Sequence, residues 1–137
     1  MNQQVKKHIK HTEGSEGWCR VMNELMYEVI ERLEQQDLSS INLLALVTET
    51  SYEVIFYAKY DGQLLQSNDL AEKGIIQPGF VDSIYEEVSN IIRNSDKYDA
   101  SKMNIIKVSS KSISVSYEDK NCRVYGIKKK WKEENDL

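Results

Sequence analysis

The stretch from Tyr52 to Gln66 constrains this chain more than any other. Tyr52, Val54, Phe56, Ala58 and Tyr60 alternate with Glu53, Ile55, Tyr57 and Lys59, a period-2 pattern dense in β-branched and aromatic residues. Asp61-Gly62 follows and supplies the two positive-φ positions of a tight hairpin turn, so Gln63 to Gln66 returns as an antiparallel strand. A hairpin by itself is marginally stable in water. The rest of the chain must therefore add strands and a layer to cover one face.

The flanking sequence supplies both. Trp18, Val21, Met22, Leu25, Val29 and Leu33 fall at helical spacing, with Ser15 placed to cap the start, Glu24, Glu28 and Glu31 opposite the stripe, and an end expected near Gln36. Ile41 to Thr48 reads as a strand. After a polar loop, Ser67 to Gln77, the dipeptide Pro78-Gly79 opens a second helix of about 15 residues with the stripe Val81, Ile84, Tyr85, Val88, Ile91 and Ile92. Three further strands are expected at Met103 to Val108, Ile113 to Tyr117 and Cys122 to Ile127. In the middle one Ile113, Val115 and Tyr117 point inward and Ser112, Ser114 and Ser116 outward.

The order α-βββ-α-βββ specifies an α+β fold: a two-layer domain with an antiparallel sheet and helices on one face. Residues 1–14 read as a flexible N-terminal arm, 15–130 as the single domain, and 131–137 as a frayed tail. At 137 residues the chain can bury roughly two-thirds of its unfolded surface without a disulfide or metal staple. No apolar run approaches the ~18 residues of a membrane span, and no signal-peptide pattern opens the chain. Cys19 and Cys122, far apart and in no CxxC context, read as reduced structural thiols. A cytoplasmic location is the expectation.

Charge is distributed unevenly. The formal net charge is −4, yet residues 13–99 hold 17 acidic against six basic residues, a charge of −11, while both ends are basic. An acidic body is the wrong footprint for a nucleic-acid binder. Motifs for chemistry are lacking. His8 and His11 are the only histidines and have no further ligand at zinc spacing. The six glycines form no nucleotide-binding pattern, and the acidic pairs Glu24/Glu28 and Glu86/Glu87 sit on solvated helix faces. These readings predict no enzyme, no cofactor and no metal site.

A helix, the paired strands around Tyr52-Glu53-Val54-Ile55-Phe56-Tyr57-Ala58-Lys59-Tyr60-Asp61-Gly62, a second helix and closing strands together resemble bacterial toxin-immunity and antitoxin proteins of the YezG-like type. The resemblance runs from about Trp18 to Ile127. It implies a bacterial cytoplasmic protein that binds and neutralises a cognate toxin, often a nuclease. The charge pattern is compatible, because a cationic nuclease site is steered and mimicked by an acidic surface. The expected contact residues are Asp61, Asp69, Glu72, Asp82, Glu86 and Glu87, with Tyr57 or Tyr60 as an aromatic anchor. Glu24, Glu28 and Glu31 form an alternative acidic face. A non-catalytic protein-binding adaptor or regulator of the cytosol is the competing reading, and the oligomeric state stays open.

Overall fold

The computed structural model describes residues 18–137. In chain order the elements are α1 (Trp18–Glu34), β1 (Ser39–Val47), β2 (Tyr52–Tyr60), β3 (Gln63–Gln66), α2 (Ser67–Glu72), α3 (Pro78–Arg93), β4 (Met103–Ser109), β5 (Ile113–Glu118) and α4 (Val124–Glu134). The strands form one antiparallel sheet in the order β3-β2-β1-β4-β5. The α+β class read from the sequence is the class observed. The expected arm, residues 1–14, with His8, His11 and the Ser15 cap, lies outside the described residues.

The central hairpin forms as its sequence dictates. Asp61 and Gly62 take φ of 52° and 80°, and Tyr60 pairs directly with Gln63. Twist in such a turn matches the twist of the strands it joins, which fixes the register of β2 against β3. The β1–β2 turn is held differently. The Arg93 guanidinium donates to the Thr48 carbonyl (2.8 and 3.3 Å) and to the Ser51 carbonyl (2.9 Å), and it stacks over the Tyr52 ring at 5.7 Å.

Alternation along the strands builds two cores. Leu43, Ala45, Val47, Val54, Phe56, Ala58, Ile106 and Val108 face one side, where the apolar stripes of α1 and α3 cover them. Ile113 is buried in the same core and Val115 packs against it half-exposed, as expected, whereas Tyr117 is exposed and its hydroxyl donates to the Lys97 carbonyl. On the other side Leu44, Leu46, Ile55, Met103 and Ile105 gather around Trp131, which is 1% exposed.

That second core corrects the sequence reading in three places. Cys122 to Ile127 does not form a sixth strand; Val124–Glu134 is helix α4. The tail from residue 131 does not fray, because Trp131 is its anchor. The helices do not all lie on one face, since α4 covers the face opposite α1 and α3. The physical reason is that β1 buries both of its faces: Leu44 and Leu46 need a cover as much as Leu43 and Ala45 do. A further strand at the edge could not reach them, whereas a helix crossing the sheet can. A smaller correction concerns Ser67 to Gln77, whose first part winds into α2 rather than remaining loop.

Candidate functional site

Helix α3 begins at Pro78, whose missing N–H costs nothing at the first helical position. Val81, Ile84, Val88, Ile91 and Ile92 turn toward the sheet. Asp82, Glu86 and Asn90, each four residues from the last, form an exposed ridge along the outer side.

On one flank of this ridge α2 approaches. Asn68, Ala71 and Glu72 meet Pro78, Val81, Asp82 and Tyr85 around a hollow of about 320 Å³. Tyr85 forms a rigid wall. Its ring stands edge-on to Phe56, with centroids 6.3 Å apart and planes at 75°, and its hydroxyl is hydrogen-bonded to that of Ser67. Ser67 is fully buried, and its oxygen also accepts the Phe56 N–H at 3.5 Å. Burial raises the Tyr85 pKa above its ordinary value; the Ser67 hydrogen bond opposes the rise and the charge of Asp82 adds to it. Tyr85 is therefore a neutral phenol at physiological pH, able to donate a hydrogen bond and to offer a π face.

The other flank borders α1, where Leu25, 37% exposed, and Ile91 floor a groove of about 440 Å³. Arg32 crosses this groove to pair with Glu87 and lies over the Phe80 ring at 5.3 Å. Glu87 is thereby neutralised. Glu49, Glu53 and Glu134 are likewise paired, with Lys120, Lys128 and Lys107. Of the expected contact carboxylates, Asp61, Asp69, Glu72, Asp82 and Glu86 all have no ion-pair partner among the described residues, and position separates them.

The sequence-derived contact residues separate accordingly. Glu72 and Asp82 share the hollow, and Glu86 stands one turn along the ridge from Asp82. Glu87 is adjacent but engaged by Arg32. Asp69 is half-buried and does not line the hollow. Asp61 sits at the hairpin tip, at the far end of β3 from α2, which a four-residue strand puts roughly 13 Å away. Tyr57 lies on the opposite sheet face beneath α4, and Tyr60 packs against the main core. Neither is brought to the acidic ridge. The aromatic that is brought there is Tyr85, which helical spacing assigns to the core stripe, and its fixing partner Ser67 falls in a segment that reads as loop. Tyr85 stands four residues past Val81, as core positions do. Only the presence of α2 gives its hydroxyl a partner, Ser67, and makes its side chain a wall of a hollow, and a six-residue helix leaves no periodic signal. On the alternative face Glu28 and Glu31 are exposed along α1.

Cys122 is a free, half-buried thiol beside the second core. Burial, reinforced by Glu118, pushes its pKa up, which favours the protonated thiol over the thiolate. Among the described residues no three His, Cys, Asp or Glu side chains converge to hold a metal ion, and no helix is long and apolar enough to cross a membrane. Set against protein-family models, curated proteins and solved structures, the chain matches none.

Proposed function

We propose that the protein is a cytoplasmic immunity protein that binds and neutralises a basic bacterial toxin, of the nuclease kind, through Glu72, Asp82 and Glu86 with Tyr85 beside them. One observation carries the reading: two carboxylates without ion-pair partners, Glu72 and Asp82, border a hollow that has an immobilised tyrosine as its wall, and a third, Glu86, stands one turn along the ridge. An unpaired carboxylate at a concave surface is ready to meet a cation without first breaking a bond. Complementary charge accelerates and orients encounter, and a desolvated aromatic next to it supplies affinity. Neutralisation follows if the carboxylates occupy the cationic surface on which a nuclease holds phosphate. No proton or group transfer is required of this chain.

The test is co-purification with the product of the adjacent gene, followed by protection from its toxicity in cells. Joint replacement Glu72→Lys, Asp82→Lys and Glu86→Lys should weaken binding by about 100-fold or more and abolish protection. Retention of both functions would exclude this surface. Binding without protection would favour the adaptor reading.

A further inference from the structure

The sheet has two edges of different character. One is β3, only four residues long and running straight into α2. The other is β5, six residues long, with β4 as its sole sheet neighbour. Exposed edges of this length are usually blunted by proline, by a bulge or by charges within the strand. Ile113, Ser114, Val115, Ser116 and Tyr117 include none of these, the one charge of the strand being Glu118 at its last position, and the register with β4 runs without a shift from Met103↔Glu118 to Val108↔Ile113.

The backbone polarity of this edge follows from one hydrogen bond. The Ser109 N–H donates to the Ser112 carbonyl at 2.9 Å, so that opposed pair is of the hydrogen-bonded kind. Pairs alternate along an antiparallel ladder. Ser112, Ser114, Ser116 and Glu118 therefore direct their N–H and C=O groups toward β4, and Ile113, Val115 and Tyr117 direct theirs outward. By alternation the same three residues place their side chains on the α1/α3 face, where Ile113 is buried, Val115 is half-exposed and Tyr117 is 39% exposed.

We propose that a second copy of the chain pairs with β5, antiparallel, about a twofold axis through Val115. In this register residues equidistant from 115 oppose one another. Val115 meets its own copy, Ile113 meets Tyr117, and Ser114 meets Ser116. The self-opposed pair at Val115 is of the hydrogen-bonded kind, as are the Ile113–Tyr117 pairs on either side. Every outward backbone group of the three residues thus finds a partner. Side chains on each face are matched in kind, with aromatic against β-branched on the core face. Just beyond the strand Lys111 opposes Asp119, both exposed, so charge complementarity brackets the apolar pairs and no like charges meet. An unrelated strand would have to reproduce this pattern; a second copy carries it already. A register moved by one residue would bring Val115 opposite Ser116, whose side chain is on the other face, and would lose both the pairing and the match. This surface is separate from the acidic ridge of α3, and the dimer stands or falls independently of toxin binding.

Sedimentation equilibrium of the full chain tests it. The expected mass is twice 15.9 kDa. Val115→Pro removes an N–H that faces outward, a place where an edge strand accepts proline, so the monomer should keep its circular dichroism and urea midpoint while dimerisation weakens at least about tenfold. Lys111→Asp and Asp119→Lys should each weaken the dimer, and the two together should restore it, which also decides the matter if Val115→Pro fails to fold. A chain that is monomeric up to about 1 mM, a folded Val115→Pro that dimerises as before, or a double charge swap that restores nothing would each overturn the proposal.

Discussion

The indole of Trp131 lies against the ring of Tyr57, with centroids 5.9 Å apart and planes inclined at 55°. This contact joins the C-terminal helix to the middle of the sheet and seals a face that β1, β2 and β4 leave apolar. Lys132, next in sequence, sits with its ammonium 5.9 Å from the centre of the Tyr57 ring, on the side toward solvent.

Trp131→Ala should therefore cost about 3–5 kcal/mol, the usual range for emptying a large aromatic from a core. Deletion of residues 131–137 should cost at least as much. Urea denaturation followed by circular dichroism reads both. A loss below 1 kcal/mol would mean that α4 contributes no packing to the sheet.

Arg93 and Arg32 offer a matched comparison. Arg93 donates to two main-chain carbonyls of the β1–β2 turn, whereas Arg32 makes a partly exposed ion pair with Glu87 and stacks on Phe80. Charge-assisted hydrogen bonds to main-chain carbonyls are worth more than partly exposed ion pairs. Arg93→Ala should lower stability by about 1.5–3 kcal/mol and Arg32→Ala by about 1 kcal/mol or less, measured in the same denaturation assay. The reverse order would contradict this account.

Burial raises the pKa of Tyr85 and of Tyr117, the latter with a further contribution from Asp99. The folded state then holds its phenol protons to higher pH than the unfolded chain does, so the slope of stability against pH is negative. Their contribution is complete below the unfolded value near pH 10 and is lost as pH rises through the folded values. Thermal melts from about pH 9 to 11.5 should show stability falling, and Tyr85→Phe and Tyr117→Phe should each make that fall shallower. An unchanged slope in both variants would refute the assignment.

The hairpin makes a fourth prediction. Gly62 has φ of +80°, and a Cβ added there would touch nothing within 4 Å, so Gly62→Ala should cost only the left-handed backbone penalty of about 1–2 kcal/mol. Asp61→Asn, which keeps a residue tolerant of positive φ, should change stability by less than about 0.5 kcal/mol. Midpoints from urea titration decide.

Much of this architecture is legible where a local rule acts alone. The period of Tyr52 to Tyr60, the Asp61-Gly62 turn, the proline start of α3 and the alternation of Ile113, Val115 and Tyr117 each carry their own instruction. Cys122 to Ile127 misleads because Cys122, Val124, Tyr125 and Ile127 give a short segment the apolar and aromatic content of a strand. Val124, Ile127 and Trp131 in fact stand at i, i+3 and i+7, a helical spacing that becomes visible only once Trp131 is counted as anchored. The acidic residues were legible as a class. Which of them stand without a partner was not, because ion pairs such as Arg32–Glu87 join residues far apart in sequence.

The sequence by itself determined five strands, the two long helices and the tight hairpin, since periodicity and turn chemistry are properties of neighbours along the chain. Only the tertiary structure decided that α4 crosses the second face, that Ser67 locks Tyr85 beside Glu72 and Asp82, and that β5 ends the sheet with its backbone unmet. Each of these depends on burial and on contacts between distant segments, which local spacing does not encode.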